Sequence, residues 1–426
     1  MSKGTFFLVS ENERESFPEL RMMISTGLAM FNDAENIAAR EPTTENMDIL
    51  TPADARKRWG KALAGTRIWT VEGNTLLIND PRQFLRHYYH FVAELFFGAW
   101  AFWHGGWSKP SPSYAAIYDP SIPTPPLHRA IFAHTDGEGW RDVPGFDRWF
   151  LRGVFPSLTV ETEEDWKDRI EATSDGSRAW HFPVLLLADR SAAHRGPVCG
   201  PNQRTASEAW QYMKDHNQLM GVNAGGWWAP IRQAVWKFAG ILGDPEAVGH
   251  SDEGVIAKPG EELGLPDPKK IVITYISRQG GNRRKLIDDD HAGLVRAVKD
   301  LVARKEGWEF REVEAEKFSR EEQIEQAAET TIMLGVHGNG LTHLVFMPPT
   351  RRSAVIELFY PGGFAHDYEW TSRALGMRHY GVWNDTYFTH PNAPQVDYPE
   401  GFQGDSIPVH GETVAKIIED HIKGTI

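Results

Sequence analysis

Residues 271–285 read IVITYISRQGGNRRK, and this stretch decides the fold because a short apolar run leads directly into a loop of glycine and arginine. Such a run, bounded by turn residues, indicates a strand that is buried on both faces. A helix is predicted over Asp290–Arg304, and a capping box of Ser319 with Glu322 predicts the start of another. Further strands are predicted over Glu309–Val313, Thr331–Val336 and Ala354–Leu358. This alternation predicts a parallel α/β sheet, which binds ligands at the carboxyl ends of its strands.

The loop after the first of these strands carries Arg278, Arg283 and Arg284 together with Gly280 and Gly281. Arginine donates paired hydrogen bonds to phosphate oxygens, and glycine lets the backbone approach a ligand closely. The loop therefore predicts an anion site. The alternative is a solvated basic turn that pairs with the acidic start of the following helix.

The second glycine-rich segment reads GVHGNGLTH over residues 335–343 and lies between a predicted strand and a predicted helix. A helix start offers free backbone N–H groups and its positive end to an anion. His337 adds a ring that can donate to a phosphate or a sugar hydroxyl. The segment lacks both the P-loop lysine and the glycine spacing of dinucleotide-binding proteins, and a purely structural turn is the alternative.

The first half of the chain is less regular. A helix is predicted from Thr51 to Trp59, because threonine followed by proline favours a helix start. Strands are predicted over Thr66–Val71 and Thr75–Ile78, joined by a turn at Gly73–Asn74, and over Val184–Leu187. An aromatic helix is predicted over Pro81–Trp103.

On this helix His90 and Glu94 are four residues apart and share a face. They are candidates for a general base and the carboxylate that orients it. A histidine that only packs or caps the helix is the alternative.

The bulk properties limit the classes of protein. A chain of 426 residues is expected to form two domains, and its net charge of −13 argues against a nucleic-acid surface. The predicted organisation is a domain over 1–245, a linker over 246–268, a domain over 269–405, and a helix within 406–426, amphipathic in its pattern, that packs back on the first domain. No apolar run is long enough to span a membrane. Most of the 16 tryptophans are expected in the core.

Taken together, these segments resemble glycosyltransferase family 61. The similarity is carried by Tyr275–Arg278 with Arg283 and Arg284, by the turn Gly335–Thr342, and by Ala354–Phe359. Tyr88–Phe91 through Glu94 resembles the tyrosine-histidine helix of the family. Asn339 and His343 depart from the usual motif, which has alanine or serine and asparagine at these positions, so the donor is less well defined.

The resemblance implies a GT-B fold with two Rossmann-like domains facing across a cleft, and a UDP-sugar donor, UDP-xylose or UDP-GlcNAc. It implies transfer with inversion to a hydroxyl of a glycan or glycoprotein, without an essential metal or other cofactor. A location in the Golgi or endoplasmic reticulum is implied if an anchor precedes this chain, and the cytoplasm otherwise. The predicted donor-binding residues are Arg278, Arg283, Arg284, His337, Gly338, Asn339, Gly340, Leu341, Thr342 and Glu357, the last through ribose or sugar hydroxyls.

Two other functions compete with transfer. A noncatalytic protein could bind a nucleotide sugar or a carbohydrate on the same fold. A nicotinamide-dependent oxidoreductase shares the parallel sheet, but the dinucleotide fingerprint is absent. Fold alone does not choose between them.

Overall fold

The computed structural model describes residues 1–31, 33–61, 65–107, 124–193, 204–216, 218–219, 225–241 and 265–426. Its backbone forms two compact units. The first comprises Met1–Ala99 and Thr124–Ala209, and the second the other described residues. Residues 246–264 of the predicted linker lie outside the described part of the chain.

The first unit is built on parallel strands. The central sheet has the order β10-β6-β7-β8, all parallel, and its middle strands are buried. Strands β1 and β2, and likewise β5 and β9, form small parallel pairs, whereas β3 and β4 pair antiparallel. The strands are β1 (Phe6–Val9), β2 (Met47–Leu50), β3 (Gly60–Lys61), β4 (Gly65–Thr66), β5 (Ile68–Thr70), β6 (Asn74–Pro81), β7 (Arg129–His134), β8 (Thr159–Glu161), β9 (Ala179–His181) and β10 (Val184–Ala188).

The two strands predicted on either side of Gly73–Asn74 are present as β5 and β6, but they lie in different sheets. Each has a parallel partner that is distant in sequence, and local turn signals cannot reveal such a partner. The polypeptide therefore crosses between sheets at this turn.

Short helices accompany these strands. The predicted start of α3 is confirmed, because the hydroxyl of Thr51 accepts a hydrogen bond from the Asp54 N–H at 3.1 Å and Pro52 occupies the first position. The helices are α1 (Leu20–Met23), α2 (Ala34–Ala39), α3 (Pro52–Trp59), α4 (Arg82–Leu85), α5 (Phe97–Trp107), α6 (Phe146–Val154), α7 (Glu163–Glu171), α8 (Arg190–Ala193) and α9 (Arg204–Asp215), of which α5 and α9 continue into the second unit.

The aromatic helix predicted over Pro81–Trp103 is a composite of α4, a π-helix over Tyr89–Phe96, and α5. Nearly every side chain of the π-helix is buried, including that of Glu94. Wide turns of this kind are rare and often occur at functional sites.

The second unit contains a six-stranded sheet of order β12-β11-β13-β14-β15-β16, in which only β16 is antiparallel. The strands are β11 (Ile271–Ile276), β12 (Trp308–Val313), β13 (Ile332–Val336), β14 (Ala354–Leu358), β15 (Arg378–Trp383) and β16 (Thr386–Phe388). The parallel α/β sheet predicted here is confirmed. Its β11, β13 and β14 strands are buried throughout, which explains their almost continuous apolar sequence.

Five α-helices and a 3₁₀ helix complete the described part of this unit's main architecture. They are α10 (Ala229–Phe238), α11 (Asp288–Val302), α12 (Arg320–Glu329), the 3₁₀ helix Asn339–Phe346, α13 (Asp367–Ala374) and α14 (Gly411–Lys423). The predicted capping box opens α12, where Ser319 and Glu322 bond reciprocally to each other's backbone N–H.

The C-terminal helix corrects one prediction. The apolar face of α14 is buried with that of α11 in the core of the second unit, whereas the sequence analysis placed it on the first domain. Val414, Ile417 and Ile418 belong to the same cluster as Leu294 and Val298. The amphipathic pattern identified the face, but it carries no information about which partner covers it.

Tryptophan is mainly a core residue, as expected. Ten of the 16 tryptophans are buried: Trp59, Trp100, Trp103, Trp140, Trp149, Trp166, Trp210, Trp227, Trp228 and Trp236. In the described ranges, no helix combines the length and the apolar composition that crossing a membrane requires.

Candidate functional site

The two glycine-rich loops of the second unit meet at one edge of its sheet. Strands β11 and β13 are neighbours and parallel, so the loops that follow them leave the sheet at the same end. Gly338 lies against the side chain of Arg278, where a Cβ atom would stand 2.6 Å from Nη1 and 3.2 Å from Cζ. The absence of a side chain at residue 338 is therefore what allows the guanidinium to lie on the turn.

Arg284 joins Arg278 at the same turn. Its backbone has φ 54°, an uncommon value for a residue other than glycine. Its Nη1 donates to the carbonyl oxygen of His337 at 3.2 Å, and its Nε donates to Oε1 of Gln403 at 2.8 Å. These contacts hold the guanidinium in place, and within the described ranges no carboxylate forms an ion pair with it.

The two guanidinium groups form an incompletely neutralised positive site. Burial, and to a lesser extent the adjacent Arg278, lowers the pKa of Arg284. The Nε atom of Arg278 is buried and has no hydrogen-bond partner among the described residues. An anion bound here would satisfy that donor and relieve the repulsion between the two cations.

The predicted third arginine behaves differently. The side chain of Arg283 is exposed, and the structure brings together only Arg278 and Arg284 at Gly338. The sequence could not show which of the three arginine side chains reach Gly338, because the direction of each side chain depends on the conformation of the whole loop.

The glycine turn opens the 3₁₀ helix Asn339–Phe346, as predicted for a helix near Gly340. A Cβ atom on Gly340 would lie 2.7 Å from Cγ2 of Ile276, so glycine permits close packing against the end of β11. The N–H of Leu341 donates to the carbonyl oxygen of Gly338 at 3.0 Å, and the Thr342 hydroxyl donates to Oδ1 of Asn339 at 3.2 Å. The side chains of Leu341 and Thr342 are buried, so these residues support the turn.

His337 is held by a buried carboxylate. Its Nδ1 lies 2.5 Å from Oε1 of Glu357, and the other oxygen of Glu357 lies 2.7 Å from Nε2 of His379 on β15. The ring stacks on Phe359 with a centroid separation of 5.4 Å. Glu357 is fully buried with both oxygens engaged, so neither oxygen is free for the direct hydrogen bonds to ribose or sugar hydroxyls that the sequence analysis predicted.

His343, which departs from the family motif, has a structural environment. Its ring is buried and hydrogen-bonds to Oε1 of Gln323 on α12 at 2.9 Å. Burial lowers its pKa to about 4, so the ring is neutral at physiological pH. At this departure from the family motif, the histidine therefore holds the 3₁₀ helix against α12.

In the first unit, the predicted pair is in contact. Nδ1 of His90 lies 2.6 Å from Oε2 of Glu94, and the side chain of His90 retains partial exposure whereas that of Glu94 is completely buried. Arg190, at the start of α8, forms an ion pair with the other oxygen of Glu94. Its guanidinium also stacks 4.5 Å above the ring of Phe84.

Arg190 keeps the carboxyl group of Glu94 ionised. Burial acts to raise the pKa of Glu94, but Arg190 and then His90 outweigh it, so the net pKa lies below the usual range. The ionised carboxylate accepts from Nδ1–H of His90, which leaves Nε2 as the proton acceptor. The arrangement has the chemistry of a general base with its orienting carboxylate.

A second polar group lies at the ends of β6, β7 and β10. Asn79 donates to Oδ2 of Asp189 at 2.7 Å and its Oδ1 lies 2.9 Å from Nε2 of His134. Asp80 accepts from the N–H of Arg190 at 2.7 Å, and burial raises its pKa to about 7. The sequence analysis missed these residues and Arg190. A polar residue at the end of each of these three apolar strands was the signal that could have revealed them. The sequence analysis predicted β6 and β10 but did not predict β7.

In the parts of the chain that the structure describes, no group of three or more histidine, cysteine, aspartate or glutamate side chains has the geometry of a metal site.

Known proteins include a family that is similar to part of this chain. Residues 177–355 match the model of a family described as glycosyltransferase 61. This region of the chain is therefore similar to glycosyltransferase family 61. The family 61 match includes the arginine loop and the glycine turn, and ends within β14.

A curated relative supports the same assignment. The EGF domain-specific O-linked N-acetylglucosamine transferase of Drosophila melanogaster is 29% identical over 136 residues, which are 32% of this chain and 24% of that protein. The match thus spans about a quarter of the relative's length.

Proposed function

We propose that this protein is an inverting glycosyltransferase that moves a sugar from a UDP-sugar to a hydroxyl group of a glycan or glycoprotein. The observation that carries the proposal is the convergence of Arg278 and Arg284 on the Gly338 turn at the carboxyl edge of the second sheet. The similarity of residues 177–355 to family 61 supports transfer as the use of this anion site. The proposed arrangement is GT-B, with the donor held by the second unit.

The arginine site suits the leaving group. As the bond between the anomeric carbon and the diphosphate oxygen breaks, the electron pair and the negative charge go to the diphosphate. Two fixed guanidinium groups and the start of the 3₁₀ helix stabilise that charge, and they need no reorganisation during the reaction. Arg283 would add a solvent-exposed contact to the nucleotide.

The first unit supplies the proposed base. The acceptor oxygen forms its bond to the anomeric carbon on the face opposite the diphosphate while its proton moves to Nε2 of His90. The ionised Glu94 stabilises the resulting imidazolium, and Arg190 keeps Glu94 ionised. No essential metal or other cofactor is part of this scheme.

The donor and acceptor are proposed at the level of class. The name of the Drosophila relative specifies N-acetylglucosamine and an EGF domain for that protein. UDP-GlcNAc is therefore the first donor to test, with UDP-xylose second, and an EGF-like domain is the first glycoprotein acceptor.

A donor screen tests this function. Release of UDP is measured from a panel of UDP-sugars with the wild type, and with a His90→Ala variant as the control that keeps the donor site. We expect one or more UDP-sugars to give UDP release that an acceptor accelerates and His90→Ala slows. Binding of UDP-sugars without any turnover would instead support a noncatalytic nucleotide-sugar-binding protein.

A further inference from the structure

The chain His337, Glu357 and His379 links three neighbouring strands of the second unit. Glu357 lies on β14, His379 on β15, and His337 follows β13 directly. The contacts of 2.5 Å and 2.7 Å leave both oxygens of Glu357 occupied by ring nitrogens. Glu357 occupies Nδ1 of His337, so Nε2 on the opposite edge of the ring is the nitrogen that this contact leaves to a ligand.

Three proton arrangements fit these distances. One of them, in which a protonated Glu357 donates to Nε2 of His379, would place an N–H group at Nδ1 of His379, and that buried atom has no hydrogen-bond partner among the described residues. The other two leave this nitrogen bare. In the first, an ionised Glu357 accepts from Nδ1–H of His337 and from Nε2–H of His379, which leaves a bare Nε2 on His337. In the second, a protonated Glu357 donates to Nδ1 of His337, and His337 then carries its proton on Nε2. The arrangements differ in whether His337 presents a lone pair or an N–H group to the arginine site.

The surroundings of Glu357 differ from those of Glu94 in one decisive respect. Glu94 forms an ion pair with Arg190, but within the described residues no arginine or lysine forms an ion pair with Glu357. A fully buried carboxylate with only neutral rings as partners carries a large desolvation cost. The charged and titratable groups that affect the chain are Arg278 and Arg284 after β11, Asp367, Tyr368 and Glu369 on α13, and His366.

We propose that Glu357 is protonated and, together with His379, positions His337 as an N–H donor to the diphosphate of the donor substrate. The identity of the ligand rests on the proposed function, but the proton arrangement does not. Glu357 and His379 are positioning residues in this scheme, since they act through His337. Thus the His90–Glu94 and His337–Glu357 pairs have opposite roles in the proposal, with His90 as proton acceptor and His337 as hydrogen-bond donor.

The pKa directions agree with this arrangement. Burial, reinforced by Asp367 and Glu369, raises the pKa of Glu357 well above its usual range despite Arg284. Burial and then Arg284 and Arg278 lower the pKa of His337 well below its usual range. Burial lowers the pKa of His379 to about 4. Each direction favours the neutral form of its group.

The proposal also has a consequence for anion binding. With an ionised Glu357, the lone pair on Nε2 of His337 would face phosphate oxygens and oppose binding. With a protonated Glu357, the same atom donates a hydrogen bond, and the positive charge comes from Arg278 and Arg284 alone. No proton uptake is then needed when the nucleotide binds.

The experiment is nitrogen NMR of protein labelled with ¹⁵N-histidine, without ligand, at neutral pH. A His337→Gln variant assigns the His337 signals by their loss. We expect Nε2 of His337 to show the shift of a protonated nitrogen and Nδ1 that of a bare one. The opposite pattern, with the proton on Nδ1, would overturn the proposal, whether or not the protein binds UDP.

A Glu357→Gln variant gives a second, independent readout. Glutamine can donate to Nδ1 of His337 and accept from His379, so it reproduces the protonated acid. We expect an unchanged His337 tautomer and a Kd for UDP within about threefold of the wild type, whereas Glu357→Leu weakens binding about tenfold or more. A change of the His337 tautomer in Glu357→Gln would show that Glu357 is ionised in the wild type. If wild-type protein does not bind UDP, the proposed function fails, and the tautomer still decides the proton arrangement.

Discussion

Gly338→Ala is expected to damage the arginine site through a single methyl group. The new Cβ would lie 2.6 Å from Nη1 of Arg278, whereas unstrained contacts between such atoms are about 3.5 Å, so the guanidinium must move by about 1 Å. Loss of one charge-assisted hydrogen bond costs about 1.5–3 kcal/mol, which corresponds to a rise in the Kd for UDP of roughly 10- to 100-fold. Isothermal titration calorimetry with UDP measures this change directly.

Gly280→Ala is the matched control in the arginine loop. Its Cβ would meet nothing closer than Oε2 of Glu314 at 3.4 Å, an ordinary contact, so UDP affinity is expected to stay within about twofold of the wild type. Thermal unfolding of both variants verifies that they are folded. A folded Gly338→Ala variant that binds UDP as tightly as the wild type would refute the placement of the anion site at this turn.

Three further predictions concern the first unit and the core. His90→Ala should lower kcat about 100-fold or more and leave the Kd for UDP unchanged, and Glu94→Gln should lower kcat in the same direction; near-normal turnover in both would exclude them as the base pair. Asp80 is expected to destabilise the folded state as pH rises. The pKa of Asp80 is about 7 in the folded protein, above the usual 3.8, so folding favours the protonated carboxyl. The free energy of unfolding therefore decreases as the pH rises from 3.8 to about 7. Asp80→Asn should therefore raise Tm more at pH 8 than at pH 5, and an equal gain at both would contradict the raised pKa. Trp228→Phe should cost about 1–3 kcal/mol of unfolding free energy in chemical denaturation, because the indole is fully buried and donates to a backbone carbonyl at 2.9 Å. Trp69→Phe, at a side chain that is 48% exposed, should change it by less than about 0.5 kcal/mol, and equal losses would contradict this account.

The second sheet was predictable because its signals are local. Strands β11 and β14 begin and end where the apolar runs do, and the capping box at Ser319 marks the start of α12. The carboxyl ends of parallel strands lie at the same edge of a sheet and carry the ligand-binding loops. This rule allowed the arginine loop and the glycine turn to be placed together from the sequence. Hydrophobic periodicity and the residues typical of turns thus predict the strand ends, the helix start and the positions of the two loops.

The remaining features depend on contacts between distant residues. Arg190 meets Glu94 across 96 positions of sequence, and His379 meets Glu357 across 22. Neither partner is marked by a local motif. The π-helix that holds His90 was also hidden, because a wide turn has the same apolar composition as an ordinary buried helix.

The central claim is tested most directly by calorimetry of UDP binding to the wild type and to an Arg278→Ala, Arg284→Ala double variant. Binding of NAD, a ligand of a competing class, is measured in the same way. The account predicts that the wild type binds one UDP per chain, that NAD binds much more weakly, and that the double variant, still folded, loses UDP affinity by at least about 100-fold. Equal UDP affinity in the wild type and the double variant, or no UDP binding by the wild type, would contradict it.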